Sequence, residues 1–222
     1  MKGLLMKDFY FAMQQKRLFL IILFMFGVFY ISKGAESAPF VISYTTLMGG
    51  MFVLTSIGYD DFENSSCYLM TLPITRKDYV LEKYLFGMLG VFSFWLFPTA
   101  VYVFLKMEMI SEVLTIAGMS LAVVTCFEML MIPVQLKFGG EKGRMALIGV
   151  IVVGMLLLHL IKEIGTWLMG SSEAAKQMIE NIIYELENGS VWMLGIGIVI
   201  LLMLETIISY RISLNVITKR EY

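Results

Sequence analysis

Charged residues are scarce in this chain, and that scarcity excludes most soluble folds. Of its 222 residues only 16% are charged, whereas 59% are hydrophobic. Soluble domains carry about one quarter charged residues, so the chain has too little polar surface to cover a water-soluble globule of its size. The net charge of −1 indicates neither a nucleic-acid partner nor a basic membrane-surface protein. Lipid must therefore be the solvent for most of the chain.

Residues that usually carry catalysis are also few. His159 is the only histidine, and neither a H-E-x-x-H motif nor a G-x-S-x-G motif occurs. The glycines at Gly139, Gly140 and Gly143 lack the spacing and the hydroxyl group of a G-x-x-x-x-G-K-[ST] phosphate loop. Cys67 and Cys126 are too few for a disulfide framework. The sequence therefore predicts that the chain is not an enzyme by itself and holds no cofactor or metal.

Long apolar runs recur along the sequence. A spanning helix needs about 20 mostly apolar residues, with a range of about 17–25. The sequence predicts an all-α integral membrane protein with six transmembrane helices in one domain, residues 1–222. The predicted spans are Leu18–Ser32, Pro39–Gly58, Tyr84–Leu105, Val113–Val134, Met145–Met169 and Val191–Tyr210. The first span is short and must include part of the segment before it.

The N-terminal segment, residues 1–17, is amphipathic rather than apolar. In a helix, Leu4, Leu5, Phe9 and Met13 recur at three- to four-residue spacing. This pattern predicts a helix that lies in the membrane interface. A simple extension of the first span is the alternative.

Basic residues are distributed unevenly around the predicted spans. If both termini are cytoplasmic, 13 of the 17 lysine and arginine residues lie in the inside segments and 4 lie outside. Positive charge accumulates on the cytoplasmic side of membrane proteins. Both termini are therefore predicted to be cytoplasmic.

The cytoplasmic connection between spans two and three, residues 59–83, is too long to be a turn. It combines acidic and aromatic residues with a break at Leu72 and Pro73. Thr75 followed by Asp78 matches a capping box, in which the hydroxyl group caps a helix. We interpret the segment as two short helices separated at the proline.

The connection between spans five and six, residues 170–190, is also long and is predicted to lie outside the cell. Ser171 or Ser172 could cap a helix there. Its apolar positions recur at helical spacing, and they are Met178, Ile179, Ile182, Ile183 and Leu186. The pattern predicts an external amphipathic helix that packs on the bundle.

Two glutamates, Glu128 and Glu205, lie inside predicted spans. Ionisable groups at membrane depth cost free energy and normally face a partner, the bundle interior or water. In the predicted topology both lie in the cytoplasmic half of the membrane. They could therefore line a translocation pathway, or they could pair with cytoplasmic lysine or arginine residues.

The amphipathic start MKGLLMKDFYF, the six spans and the long second loop together resemble the small ABC-2 type transporter permeases. More narrowly, the chain resembles a membrane subunit of the phenol-soluble-modulin (Pmt-type) peptide exporters of Gram-positive bacteria. The resemblance covers the whole chain. Its sharpest part is Leu72-Pro73-Ile74-Thr75-Arg76 followed by Lys83-Tyr84-Leu85.

This resemblance implies half of an ATP-driven exporter in the bacterial plasma membrane. Such permeases pair with a second permease copy or paralogue and with two copies of an ABC ATPase subunit, which binds ATP and Mg. The loop after span two would form the coupling helix, at Asp60–Leu72, that docks on the ATPase. The residues expected to contact the ATPase are Asp61, Phe62, Glu63, Tyr68, Leu72, Pro73 and Arg76.

The cargo implied by the narrower resemblance is an amphipathic or hydrophobic peptide, although other permeases of this class move antibiotics, lipids or polysaccharides. Other readings of the sequence are a membrane subunit that senses a peptide or confers immunity, an energy-independent carrier, and an intramembrane enzyme. A carrier would favour inverted repeats with broken helices at mid-membrane, and an enzyme would need a nucleophile or metal site.

Overall fold

The computed structural model describes residues 2–61, 74–105, 110–171 and 191–219, and within these ranges the chain is helical with no strand. A short 3₁₀ helix, Gly34–Ser37, joins the second and third α-helices. The α-helices are α1 (Lys2–Gln14), α2 (Lys16–Lys33), α3 (Ala38–Asp61), α4 (Arg76–Leu105), α5 (Ile110–Ser171) and α6 (Val191–Lys219).

Among the described residues, 5 helical segments are long and apolar enough to cross a membrane. They are Ala38–Asp61, Arg76–Leu105, Ile110–Gly139, Ile148–Gly165 and Gly195–Lys219. The expectation of an all-helical, multi-pass membrane protein is confirmed. The first predicted span lies in α2, whose apolar part, Leu20–Lys33, is shorter than the other segments. The count of six spans therefore stays a prediction.

Helix α4 begins at Arg76 rather than at Tyr84, so the last part of the predicted 59–83 loop is helical. The backbone N–H of Asp78 donates a hydrogen bond to Thr75 Oγ1 at 3.1 Å, which satisfies one of the free N–H groups of the first turn. The predicted cap at Thr75 is confirmed. The Asp78 carboxylate accepts a hydrogen bond from the Thr75 hydroxyl at 2.7 Å.

The fourth and fifth predicted spans belong to one long helix, α5, which is broken at Gly139. Gly139 has φ +78° and ψ −172°, a backbone conformation that L residues with a side chain rarely adopt. A β-carbon at this position would overlap Asp61 Oδ2. The break therefore brings the α5 backbone against the end of α3.

Helix α3 lies at the centre of the bundle. Within its apolar stretch of 18 residues, 61% of the residues are buried, whereas 0% are buried in Ile148–Gly165. Helices α3 and α4 approach through glycine, since a β-carbon at Gly49 would lie 2.7 Å from the Gly90 carbonyl oxygen. Small residues permit such close backbone packing between membrane helices. The main core includes Val53, Ile57, Val80, Met129, Met131, Ile132 and Ile217.

The apolar residues predicted to share one face of α1 are divided between two environments. Leu4 is buried in the bundle core and Leu5 packs against it, whereas Phe9 and Met13 are exposed. Helix α1 therefore docks on the bundle through one side and exposes apolar groups on another. Its position in a membrane interface stays a prediction. Of the predicted external segment, 170–190, only the end of α5 lies within the described residues.

Candidate functional site

Ionisable side chains from α1, α3 and α4 meet at one end of the bundle. We call this group the ionic cluster, and it consists of Lys7, Asp8, Asp60, Glu82 and Lys83. All of these except Lys7 are buried. Buried charges require ion pairs and hydrogen bonds to offset the loss of water, and contacts within the cluster supply both to Asp8, Asp60 and Lys83. Glu82 Oε2 lies 3.6 Å from Lys83 Nζ and has no hydrogen bond among the described residues.

Lys83 lies at the centre of the ionic cluster and is 0% exposed. Its ammonium group forms an ion pair with Asp8 and lies 2.7 Å from Asp60 Oδ2. It also donates a hydrogen bond to Ser56 Oγ at 2.7 Å. Because these partners belong to different helices, one side chain connects α4 to both α1 and α3.

Lys7 and Tyr79 add further contacts to the two aspartates. Lys7 Nζ lies 3.1 Å from Asp8 Oδ1 and also forms an ion pair with Asp60. The Tyr79 hydroxyl donates a hydrogen bond to Asp60 Oδ2 at 3.2 Å. Each aspartate is therefore held by both lysines.

The helical period explains why the cluster forms. Residues four apart lie on the same face of a helix, and each of the helices presents such a pair towards the others. The pairs are Leu4 and Asp8 on α1, Ser56 and Asp60 on α3, and Tyr79 and Lys83 on α4. On α1 and α4 the apolar or aromatic member packs in the core, while the charged member reaches the cluster.

Within the five residues of the cluster, three acidic groups, Asp8, Asp60 and Glu82, lie beside two lysines, Lys7 and Lys83. Burial alone would raise the pKa of Asp8. The positive charges of Lys83 and Lys7, with hydrogen bonds from Lys83 and Ser56, outweigh that effect and lower its pKa from the usual 3.8. Asp8 is therefore ionised and acts as an acceptor between the lysines.

The cluster lies where the chain leaves α3 and where it enters α4, on either side of residues 62–73. At the same end, Arg76 Nη1 donates hydrogen bonds to the carbonyl oxygens of Ile217 at 3.0 Å and Thr218 at 2.7 Å. These carbonyls belong to the last turn of α6, where a cation interacts favourably with the helix dipole. The helices nearest both chain termini therefore meet the same end of the bundle, which we call the cluster end.

Glu128 and Glu205 lie apart from the cluster. Glu128, on α5, is 1% exposed, and a β-carbon at Gly87 of α4 would overlap its Oε1. Glu205, on α6, is partly exposed and accepts a hydrogen bond from Cys126 Sγ at 3.3 Å. Within the described ranges no ion pair joins either glutamate to a lysine or arginine.

An open cavity of about 670 Å³ lies between α4, α5 and α6. Its walls are apolar side chains such as Met88, Phe92 and Met203, together with the hydroxyl-bearing Thr125 and Thr206. Thr125 is about one helical turn from Glu128, and Thr206 is adjacent to Glu205. The cavity is thus close along the chain to both membrane glutamates.

Comparison with known proteins identifies the family of this chain. A family model described as ABC-2 family transporter protein matches residues 3–218. The chain belongs to this ABC-2 transporter family. Neither the curated proteins nor the solved structures compared with it contain a match. Membership supports a multi-pass permease and, in general, an ABC ATPase as its partner.

The ATPase contact that we predict for this ABC-2 family protein is described only at its margins. Asp61 ends α3 beside Gly139, and Arg76 begins α4 and binds the end of α6. Both lie at the cluster end. The other predicted contacts, Phe62, Glu63, Tyr68, Leu72 and Pro73, fall outside the described residues, and the coupling helix stays a prediction.

The ionic cluster itself is not predicted as a site by the sequence. The sequence presents Lys7 only as a basic residue of a cytoplasmic segment and Lys83 also as part of the Lys83-Tyr84-Leu85 motif, without indicating a partner for either. A usable signal is present, because Lys83 follows Tyr79 by one turn on a helix that continues into a span. The partners, however, are 75 residues apart for Lys83 and Asp8, and no local pattern indicates that they meet.

Proposed function

We propose that this ABC-2 family protein is the permease subunit of an ATP-driven exporter that moves amphipathic peptides out of the cell. ATP and Mg are bound by a separate ATPase subunit, and the permease itself does not hydrolyse ATP. Two permeases and two ATPases form the working complex. The membership of the ABC-2 family and the structure of the cluster end support this proposal.

The observation that carries the proposal is the ionic cluster beside residues 62–73. Force applied to that segment by an ATPase would reach the ends of α3 and α4 directly. Because Lys83 also binds Asp8, α1 would move with them. A cluster that joins the helices on both sides of a cytoplasmic loop is a mechanical connection suited to a subunit driven by another protein.

The cargo proposal is supported by the cavity and by Glu205. The apolar walls between α4, α5 and α6 are compatible with the apolar face of a peptide. A carboxylate near a low-dielectric surface attracts cationic groups more strongly than it would in water. We propose that a partly exposed Glu205 favours lysine-bearing peptides, whereas Glu128 is covered in this packing.

The test is to replace Phe62 and Tyr68 by Ala in the complete complex and to measure peptide transport and ATP hydrolysis together. We expect ATP hydrolysis to continue while transport is lost, because aromatic anchors commonly dominate a protein contact. The matched control is Phe104→Ala, which removes an aromatic side chain that is 80% exposed at the opposite end of α4. Normal transport and normal ATPase binding in the double variant would contradict the proposed contact.

A further inference from the structure

Glu128 is a buried acidic residue that lacks a polar contact within the described part of the chain. It is 1% exposed, and neither carboxyl oxygen has a hydrogen-bond partner among the described residues. An isolated buried carboxylate is so costly that such a group normally becomes neutral instead. A protonated carboxyl group carries no net charge and is therefore compatible with this environment.

The surroundings of Glu128 contain no cation among the residues that the structure describes. Helix α4 contributes Gly87, whose missing side chain leaves room for the carboxyl group. Helix α3 contributes Val53, an apolar residue that borders the same space. Tyr84 is a titratable group that interacts electrostatically with Glu128, and it is uncharged when protonated.

Tyr84 does not satisfy the carboxyl group, because its hydroxyl is already engaged with α6. It lies 2.5 Å from Ser209 Oγ and 2.9 Å from Ser213 Oγ. The acidic residue on α6, Glu205, is bound by Cys126. Gly87 and Val53 beside the carboxyl group are therefore apolar, and Tyr84 and Glu205 have hydrogen-bond partners elsewhere.

The comparison with Glu82 shows that burial alone is not the distinguishing feature. Glu82 is 0% exposed and its carboxyl oxygens also lack hydrogen bonds among the described residues. However, Glu82 Oε2 lies 3.6 Å from Lys83 Nζ, so a positive charge is close to it. Glu128 combines full burial, a space created by glycine and the absence of a described cation.

We propose that Glu128 is a proton-binding site of the bundle, occupied in this packing and emptied when α4 and α5 separate. Separation would admit water to the space beside Gly87. The O–H bond of the carboxyl group would then break, with the proton passing to water and a carboxylate remaining on Glu128. Return to this packing would require the carboxylate to take a proton back.

This site does not depend on the identity of the cargo. If the proposed peptide export is also correct, the released carboxylate would offer a cationic side chain a binding group only in the opened state. That consequence rests on the proposed function. The proton site is tested on the purified protein without ATPase or cargo, so the two can fail separately.

The experiment is infrared spectroscopy of the protein in lipid at neutral pH, with glutamate labelled by a heavy carbon isotope at the side-chain carboxyl. A protonated carboxyl group absorbs apart from carboxylates, and the label shifts its band. Glu82 is also buried without hydrogen bonds among the described residues, so the variants must separate its contribution from that of Glu128. We expect a label-sensitive component that is lost in Glu128→Gln and retained in Glu82→Gln and Glu205→Gln. Absence of every label-sensitive band in the unaltered protein, or a Glu128→Gln spectrum identical to that of the unaltered protein, would overturn the proposal.

A second set of variants applies if Glu128→Gln does not fold. Glu128→Asp keeps a carboxyl group but removes the labelled one, so the band should lose its isotope shift. Gly87→Ala places a methyl group where the carboxyl oxygen lies and should shift the band frequency, whereas Gly118→Ala, with no atom within 4 Å of the added carbon, should not. An isotope-shifted band of undiminished intensity in Glu128→Asp would assign the proton to another glutamate and refute the inference.

Discussion

The ammonium group of Lys83 is shielded from solvent, and it therefore relies on Asp8, Asp60 and Ser56 to replace the water it has lost. The buried carboxylates of Asp8 and Asp60 in turn rely on Lys7 and Lys83 to replace their lost water. Removing one member of a buried ion pair lowers stability far more than replacing both members by apolar residues, because the remaining charge is left buried without a partner. The ionic cluster thus makes the docking of α1 depend on a few side chains.

Replacing Lys83 by Met should lower the free energy of unfolding by about 3–5 kcal/mol, the usual cost of breaking a buried ion pair. The methionine keeps most of the apolar volume, so loss of charge is the main change. Thermal unfolding of the purified protein in detergent measures the effect. Lys77→Met, at an exposed position on the same helix, should change it by no more than about 0.5 kcal/mol. Equal stability of the two variants would contradict the role of the cluster.

Acid should weaken the docking of α1. Because the pKa of Asp8 is lower in the folded protein than its usual 3.8, its stabilising contribution is present above that value. The contribution is lost as the pH falls through the lowered pKa. Hydrogen exchange of α1 amides across the acidic range measures this, and Asp8→Asn should show a weaker dependence on pH. An acid response that is unchanged in Asp8→Asn would assign the effect to another group.

At the scale of helices, glycine determines how closely α3 and α4 pack and where α5 bends. Gly49 faces Gly90 across the α3–α4 contact, and the obstructing atoms are mostly backbone atoms, which cannot rotate away as a side chain can. Because glycine can adopt a positive φ, Gly139 permits the break in α5 at that point. By contrast, a β-carbon added at Gly197 would have no atom within 4 Å, and glycine is not required there for packing.

Gly49→Ala should destabilise the bundle by about 1–3 kcal/mol, the range expected when a well-packed interior is overfilled. The added carbon would lie 2.7 Å from the Gly90 carbonyl oxygen, so α3 and α4 must move apart. Gly197→Ala is the matched control and should not lower the unfolding temperature, because the added carbon meets no atom and alanine favours a helix over glycine. If the two substitutions have the same effect in detergent or lipid, the close α3–α4 approach is not important for stability.

At the scale of the whole molecule, the spans differ greatly in how much of their own chain they contact. In the 18-residue apolar stretch of each segment, 61% of the residues are buried in α3, 6% in Gly195–Lys219 and 0% in Ile148–Gly165. Most side chains of the last two segments are therefore available to lipid or to another subunit. This distribution supports our proposal that two permease copies assemble around a shared pathway.

The purified permease should have the mass of two copies, each of 25.2 kDa, once bound detergent is subtracted. Native mass spectrometry measures this directly. Ile151 lies in Ile148–Gly165, of which 0% is buried. Ile151→Cys should form a disulfide between copies on oxidation if that segment lies at the interface. Phe104→Cys is the comparison for an exposed position on another helix. A single-copy mass for the intact complex with its ATPase would contradict the dimer.

The sequence by itself determined that the protein is a helical membrane protein, because apolar runs of spanning length have no other stable arrangement in lipid. It also located the cap at Thr75, a local interaction between residues three apart, and its resemblance to ABC-2 permeases was confirmed at the level of the family. Only the tertiary structure decided that Lys83 meets Asp8 and that Glu128 lies against Gly87. Those contacts depend on how separate helices pack, and helix packing is determined by the shapes of whole surfaces rather than by residues adjacent in the chain.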